Sequence, residues 1–338
     1  MVLFPSGARP EAPRGNPEAL FEAVRKCRID DVKRQLPSSE TGDINVRNRE
    51  ERTPLIEASR SGSRDIVTFL VERKADPDLS DKGGLTALMW AARRGDEVIT
   101  RILLRYGAVR SLTTEGDNTA HIPAFLPTGT NLTDEKGWTA LIWACWEGHV
   151  GVVTLLLASG ADTLIADKEG WTALACASYE GHVEIVRILL ANGAGRTLGA
   201  DQRNKALILA SCRGHTEIVT QLLMYGAKPD LREEGQEPAL VCASREGHKE
   251  IVGALLIAGA TRDLTGRSGD TALTLASHHG HTEIVTLLLM GGARKDMHNL
   301  SGDTALACAM RQEHGEIVRL LTLRNAEEVN PDEGSPLS

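Results

Sequence analysis

The segment TALTLASHHGHTEIVTLLLMGGA, Thr271–Ala293, contains the pattern that determines the fold. After its central Gly-His pair, apolar residues recur at the spacing of a helix with one buried face. The glycines on either side of that run suit the left-handed positions at which helices end. The segment therefore predicts a short helix, a glycine turn, a longer helix and a second glycine turn.

The same pattern recurs along most of the chain, and the period is 33 residues. An anchor that reads Thr-Ala-Leu, or a variant of it, begins at Thr53, Thr86, Thr139, Thr172, Lys205, Pro238, Thr271 and Thr304. Five residues after each anchor stands an alanine: Ala58, Ala91, Ala144, Ala177, Ala210, Ala243, Ala276 and Ala309. A small residue in one register predicts close helix packing. One unit cannot bury its apolar face alone, so neighbouring units must stack into a solenoid.

These residues resemble the ankyrin repeats, whose typical unit reads DxxGxTPLHxAAxxGHxxIVxLLLxxGAD. The resemblance covers roughly residues 17 to 326. It implies an all-α solenoid of helix-turn-helix units with short hairpin-like connectors. One departure is consistent: the histidine of TPLH is absent from every unit. We expect apolar packing to replace its usual hydrogen bond with threonine.

The ends of the array differ from its middle. Residues 17–118 are predicted to hold N-terminal repeats that begin with a capping unit, and residues 139–326 to hold six further units. In the last unit Glu313-His314-Gly315 replaces the Gly-His pair, as suits a cap. The polar segments 1–16 and 327–338 are predicted to be flexible, the second as a disordered acidic tail.

One interval breaks the period, because Thr86 and Thr139 lie 53 residues apart. Thr119, Ala124 and Asn131 keep the register, which favours a repeat that has lost its second helix across 119–138. A plain loop insertion and an incomplete gene model or splice form are the alternatives. Pro123 and Pro127 would break any helix that remains. We expect a weak stack here, with partly uncovered apolar flanks, and hence a hinge or docking notch.

Composition limits the classes of function. The net charge of −8 and the pI near 5.7 argue against nucleic acid as a partner. The six cysteines form no CxxC pair, which favours reduced thiols in the cytosol. No apolar run is long enough to insert into a membrane, and the N-terminus is a poor signal peptide. We expect a monomer in the cytoplasm, with the nucleus also open.

Catalytic motifs are missing from the sequence. There is no GxxxxGK phosphate loop, no HExxH and no GxSxG, so we expect neither an enzyme nor a cofactor. The histidines of SHHGHTEIV are the exception to weigh, since with Glu283 they could form a metal site or proton relay. His281 and Glu283 recur in other units and are interpreted as structural. Only His278 and His279 are specific to this unit, and a metalloprotein or enzyme is the alternative they keep open.

The resemblance places a partner-binding groove at the connector tips and at the last turn of each first helix. Aromatic and arginine side chains dominate interface energetics. The predicted partner-binding residues are Trp138, Trp146, Trp171, Tyr179, Arg60, Arg93, Arg94, Arg245, His278 and His279. The alternative for Trp138 and Trp171 is packing against neighbouring connectors, and Trp90 and Trp143 are interpreted as mostly core.

The predicted function is a non-catalytic adaptor or scaffold that holds a protein partner on the concave face of the solenoid. A second hypothesis is a fragment or isoform of a larger ankyrin-repeat signalling protein whose effector domain is absent.

Overall fold

Paired helices make up the protein in the computed structural model, which describes residues 17–36, 43–112, 129–194, 200–231 and 236–323. The predicted flexible segments 1–16 and 327–338 lie outside the described residues, as do Thr119, Pro123, Ala124 and Pro127. In the described ranges the helices are α1 (Pro17–Arg25), α2 (Ile29–Gln35), α3 (Pro54–Ser61), α4 (Arg64–Glu72), α5 (Ala87–Arg94), α6 (Glu97–Leu112), α7 (Ala140–Glu147), α8 (Val150–Ala158), α9 (Ala173–Glu180), α10 (Val183–Leu189), α11 (Ala200–Arg213), α12 (Thr216–Met224), α13 (Ala239–Glu246), α14 (Lys249–Ile257), α15 (Ala272–His279), α16 (Thr282–Met290), α17 (Ala305–Arg311) and α18 (Gly315–Thr322). A π-helical turn, Leu190–Ala194, follows α10.

The chain divides into two compact units, Met1–Ala173 and Leu174–Ser338, called unit 1 and unit 2 below. In unit 1 the first helices α1, α3, α5 and α7 pack in succession, and α2, α4, α6 and α8 form a second row. In unit 2 the rows are α11, α13, α15 and α17, and α10, α12, α14, α16 and α18. Each unit is therefore a helical solenoid, and the all-α prediction is confirmed.

The threonine anchors begin the first helices by capping them. The hydroxyl of Thr53 accepts a hydrogen bond from the backbone N–H three residues later, and Thr86, Thr139, Thr271 and Thr304 do the same. The residues that replace the TPLH histidine are mostly buried and apolar, such as Ile56 and Met89. Thr274 is the polar exception, and its hydroxyl bonds that of Thr271 at 2.9 Å. Apolar packing thus replaces the missing histidine, as predicted.

The eight register alanines lie at the centre of the stack, because each is 0% exposed. A larger side chain there would push neighbouring first helices apart. The first helices end at glycines in the left-handed region, for example Gly280 with φ 80°. In the last unit Glu313 occupies that position with φ 61°, which a side chain makes costly.

The connectors are tight turns held by an aspartate or asparagine. Asp134 shows the pattern: its N–H donates to the carbonyl of Trp138, and its Oδ1 accepts from the N–H groups of Lys136 and Trp138. Asp81, Asp167, Asn48 and Asn299 form the same arrangement. Isolated bridges Ser80–Thr86 and Ala166–Thr172 close two of these turns as short hairpins.

The long interval between Thr86 and Thr139 does not interrupt the stack, contrary to our expectation of a weak point. Helix α7 packs directly on α5, and both faces are covered: Met89 is 0% and Trp143 6% exposed. The ring of His149 donates to the carbonyl of Arg93 at 3.1 Å, the same contact that other Gly-His histidines make. The extra residues therefore leave the two repeats as direct neighbours. Whether 119–138 descends from a repeat or a loop stays a prediction.

One anchor departs from the predicted pattern. Helix α11 begins at Ala200, so Lys205 lies inside a helix instead of starting one. Asn204, the residue before this anchor, is 2% exposed and accepts a hydrogen bond from the N–H of Lys228. Lysine has no side-chain oxygen to accept a hydrogen bond from the backbone as threonine does. The start of the helix is therefore not fixed at Lys205, and α11 begins earlier in the chain.

Candidate functional site

Arginine and tryptophan side chains form a continuous row across unit 1. Each of these side chains occupies one of three positions in its repeat: the connector tip, the last turn of a first helix, or the residue before the packing alanine. We call these three positions the groove register. We call the following residues the Arg/Trp row: Arg60, Trp90, Arg93, Trp143, Trp138, Trp146 and Trp171.

The N-terminal end of the row rests on a buried carboxylate. Glu57 is 1% exposed, and Arg60 donates to it at 2.9 Å while Arg52 and Arg25 approach to 3.5 and 3.7 Å. The hydrogen bond to Glu57 raises the pKa of Arg60. A buried charge is stable only when it is paired, and this one has three cationic neighbours. Arg52 and Arg60 also lie 5.6 and 5.9 Å from the ring of Trp90, so their positions are fixed.

Arg93 links the two halves of the row. Its guanidinium lies 4.5 Å from the ring centroid of Trp143 and 5.5 Å from that of Trp90, both within cation–π range. Glu147 pairs with it at 3.4 Å. Lys136 adds a second cation, 5.7 Å from Trp138 and 5.8 Å from Trp143.

Tryptophans form the C-terminal half of the row. Ring centroids lie 4.6 Å apart for Trp138 and Trp143, 5.3 Å for Trp138 and Trp146, and 6.2 Å for Trp146 and Trp171. The indole of Trp138 donates to Asp167 at 2.8 Å, and that of Trp143 donates to Asp134 at 3.0 Å. The packing of Trp138 against the next connector, kept above as the alternative, is thus observed. Yet Trp138, Trp146 and Trp171 each keep part of their surface exposed.

The two tryptophans assigned to the core differ from each other. Trp143 is 6% exposed, which confirms its assignment. Trp90 is half-buried, with its indole N–H bonded to Asp81 at 3.0 Å, so its core assignment was wrong in part. Three arginine guanidinium groups lie 5.5 to 5.9 Å from the centroid of its ring.

The remaining predicted site residues are not in the Arg/Trp row. Arg94 is exposed in unit 1 beside Gly62. Tyr179 lies in unit 2, where its ring is 4.6 Å from the guanidinium of Arg213. Arg245 lies in unit 2 as well and pairs with Glu237 and Glu246. The structure thus brings together five of the ten predicted residues: Arg60, Arg93, Trp138, Trp146 and Trp171.

The histidines at the end of α15 differ in role from the Gly-His histidines that precede the second helices, as the register predicts. His281 donates to the carbonyl of Arg245 at 3.0 Å, and His314 to that of His278 at 3.1 Å, so both join adjacent repeats. His278 and His279 lie with ring centroids 4.9 Å apart. Burial, and then the neighbouring His278 and His281, lower the pKa of His279. Across the described ranges, no three His, Cys, Asp or Glu side chains are arranged to hold a metal ion.

Sequence reasoning missed the acidic residues that hold the row in place. Asp134 and Asp167 fix both a connector and an indole, and Glu57 fixes the arginines. A signal was available, since the aspartates stand five residues before the threonine anchors. Glu57 gave none, because no spacing in the sequence shows that it is buried or that Arg25 of the preceding repeat lies 3.7 Å from it.

Comparison with known proteins identifies the family. The model described as "Ankyrin repeats (3 copies)" matches residues 20–114, 112–197, 195–265 and 240–332. An ankyrin repeat protein of Fowlpox virus is 32% identical over 129 residues, which is 33% of this chain and 17% of that protein. The mouse ankyrin repeat and SAM domain-containing protein 6 is 33% identical over 102 residues, 30% of this chain and 11% of its own length. The chain therefore belongs to the ankyrin-repeat family.

Ankyrin repeats are protein-interaction modules, and the family is generally non-enzymatic. Enzymes can nevertheless carry them: a palmitoyltransferase of Lachancea kluyveri is 30% identical over 97 residues, 29% of this chain and 10% of that protein. The matched regions span between 4% and 30% of the length of the relatives compared. Among the described residues, none of the helices combines the length and the apolar character needed to span a bilayer.

Proposed function

We propose that this ankyrin-repeat chain is a non-catalytic adaptor or scaffold that binds a protein partner through the Arg/Trp row of unit 1. The observation that carries the proposal is the contact series from Trp138 through Trp146 to Trp171, which leaves three adjacent indoles partly exposed. Indoles held by neighbours lose little entropy on binding, which is why tryptophan is enriched at binding hot spots.

The partner's chemistry follows from the row. The tryptophans fit apolar side chains, and the exposed parts of Arg60, Arg93 and Lys136 fit carboxylates. Glu57 and Glu147 already neutralise part of the arginine charge, so electrostatics orients the partner and the indoles supply most of the affinity. We propose a partner segment with apolar and acidic residues, bound on the concave face. Cytoplasmic location and a monomeric state stay predictions, and Tyr179, Arg94, Arg245, His278 and His279 stay candidate contacts.

Immobilised synthetic peptides that vary in apolar and acidic content test the proposal. We expect the full chain to prefer peptides with both, and Trp146→Ala or Trp171→Ala to weaken binding roughly 30-fold, equivalent to about 2 kcal/mol. Arg311→Ala is the matched control, since Arg311 is an exposed residue at the last turn of α17 in unit 2. Unchanged urea midpoints would show that the variants stay folded. Equal losses for Trp146→Ala and Arg311→Ala would contradict the proposal.

A second candidate is that the repeats serve as the binding part of a larger signalling protein. The observation that favours it is the length of the relatives, of which the chain spans 30% at most among those compared. Mapping transcripts across residues 105–139 and beyond Ser338 tests this, and transcripts that all end at Ser338 would argue against it.

A further inference from the structure

Two cysteines occupy in unit 2 the register that arginine and tryptophan share in unit 1. Arg60 and Trp90 stand 30 residues apart and touch across neighbouring repeats. Cys212 and Cys242 stand 30 residues apart in the same two positions, at the end of α11 and before the packing alanine of α13. Both side chains line one cavity, and each thiol shifts the pKa of the other. The stack has thus placed a pair of thiols side by side.

A cavity of about 420 Å³ gives access to this pair, and both cysteines line it with Glu237 and Arg245. Cys212 is half-buried at the cavity wall, whereas Cys242 is 2% exposed. Arg245 places Nη2 3.7 Å from the sulfur of Cys242, and Glu237 pairs with Arg245. A small oxidant can therefore reach Cys212 first.

The two thiols differ in acidity, and the contacts explain the difference. The neighbouring Cys242 thiol and the charge of Arg245 lower the pKa of Cys212 against the opposing effect of burial. The neighbouring Cys212 thiol, burial and the charge of Glu237 raise the pKa of Cys242, whose thiol donates to Glu237 Oε2 at 3.7 Å. The thiolate is the nucleophilic form of cysteine. Cys212 thus has the features of an attacking thiol, and Cys242 those of a resolving thiol that keeps its proton.

We propose that Cys212 and Cys242 are a peroxide-oxidation site, at which Cys212 is oxidised and Cys242 closes a disulfide. The Cys212 thiolate attacks one oxygen of hydrogen peroxide; the O–O bond breaks, and with a proton the products are a sulfenic acid and water. The sulfur of Cys242 then attacks the sulfenic sulfur, so that an S–S bond forms and the S–O bond breaks. The thiol proton of Cys242 leaves with the departing hydroxide as a second water. Overall, two thiols lose two electrons to one peroxide.

The other cysteines provide internal controls. Cys145, Cys176 and Cys308 are buried, and burial raises the pKa of Cys308. Cys27 is exposed, and its sulfur lies 2.7 Å from the hydroxyl of Ser63 instead of beside a thiol. Peroxide should therefore leave the buried thiols unchanged and can oxidise Cys27 without an intramolecular partner.

Peptide mapping tests the proposal on the full chain. The protein is treated with hydrogen peroxide, blocked with iodoacetamide and digested with trypsin, which releases Cys212 in ALILASCR and Cys242 in EEGQEPALVCASR. We expect these two peptides joined by a disulfide that dithiothreitol reverses, with a mass lower by two hydrogen atoms. We also expect Cys212 to alkylate roughly tenfold faster than Cys308 at neutral pH.

Single-residue variants test the oxidation of Cys212 and the closure of the disulfide separately. In Cys242→Ser, dimedone should trap a sulfenic acid on Cys212, while Cys212→Ser should abolish the linked peptides and Cys27→Ser should leave them unchanged. Far-UV circular dichroism checks that each variant is folded. Absence of the linked peptides in folded protein, or linkage of Cys212 to another cysteine, would overturn the proposal. Failure of the peptide-binding proposal for unit 1 would leave this result untouched.

Discussion

Arg93 with Trp143 in unit 1 and Cys212 with Cys242 in unit 2 occupy the same two register positions but have different chemistry. In unit 1 a guanidinium covers an indole at 4.5 Å, and the pair is part of a long row of large side chains. In unit 2 two small thiols leave a cavity of about 420 Å³. The repeat fixes which positions touch, and the residues placed there decide what the contact does.

The difference extends to the acids beside each pair. Glu57 is 1% exposed and paired with several arginines, so it is part of the support of unit 1. The side chain of Glu237 is 20% exposed and pairs with Arg245 at the cavity rim. The acid of unit 1 is thus enclosed by arginines, whereas the acid of unit 2 lies at a cavity that the two thiols share. All five tryptophans lie in unit 1, so indole fluorescence reports on that unit.

The largest contrast should come from truncating the second residue of each pair. Trp143→Ala removes a side chain that is 6% exposed, and we expect unit 1 to lose about 3–5 kcal/mol of its free energy of unfolding. Cys242→Ala removes one sulfur and should cost less than about 2 kcal/mol in unit 2. Urea unfolding followed by fluorescence and circular dichroism measures both. Similar costs would show that the row does not stabilise unit 1.

The buried acid should matter more than the exposed one. Glu57→Ala leaves the nearby arginines without their carboxylate, and we expect a loss of about 2–3 kcal/mol in unit 1. Glu237→Ala should cost about 1 kcal/mol or less, because water screens the partly exposed pair. Urea midpoints at matched pH compare the two variants. A larger loss for Glu237→Ala would contradict the expectation that Glu57 contributes more to stability.

The histidine bonds test whether the long interval weakens unit 1. His149 reaches across it to Arg93, and His281 makes the same bond to Arg245 in unit 2. Each variant to alanine should cost about 1 kcal/mol, the usual net contribution of one hydrogen bond. Hydrogen exchange of α7 and α15 adds a local measurement. If His149→Ala had a negligible effect on the free energy of unfolding while His281→Ala had the expected one, the result would support weak stacking at the long interval.

The smallest effect concerns pH in unit 2. The pKa of His279 is lowered in the folded state, so between the folded and unfolded values the unfolded chain binds more protons. The stabilising contribution of neutral His279 is therefore present above the unfolded pKa and lost as pH falls towards the folded one. We expect the urea midpoint of His279→Gln to rise slightly less steeply than that of the unchanged chain between about pH 5 and 7. Circular dichroism measures the unfolding at each pH. An unchanged slope of the urea midpoint against pH would show that the titration of His279 does not contribute to the pH dependence of stability.

Much of the architecture was predictable because each repeat is a local pattern. The threonine caps, the packing alanines and the Gly-His turns follow from residues at fixed spacing, and the structure shows them in those roles. Prediction failed where that pattern is weak. Lys205 cannot cap a helix, and α11 begins earlier than the anchor. The long interval looked like a break because sequence spacing cannot show that α5 and α7 touch.

The candidate site was only half predictable. The groove register pointed to Arg60, Arg93 and the tryptophans, but not to Glu57 or Asp167, which hold them. Nor did cysteine spacing reveal that Cys212 and Cys242 line one cavity, because a spacing of 30 residues resembles no metal or disulfide motif.

The sequence by itself determined the family, the 33-residue register and the faces that each helix buries, because caps, turns and helical periodicity act within a few residues of each other. The tertiary structure alone decided which side chains from different repeats meet. It joined Arg93 to Trp143, brought Arg25 to Glu57 and placed two thiols at one cavity, since these arrangements depend on how closely neighbouring first helices stack.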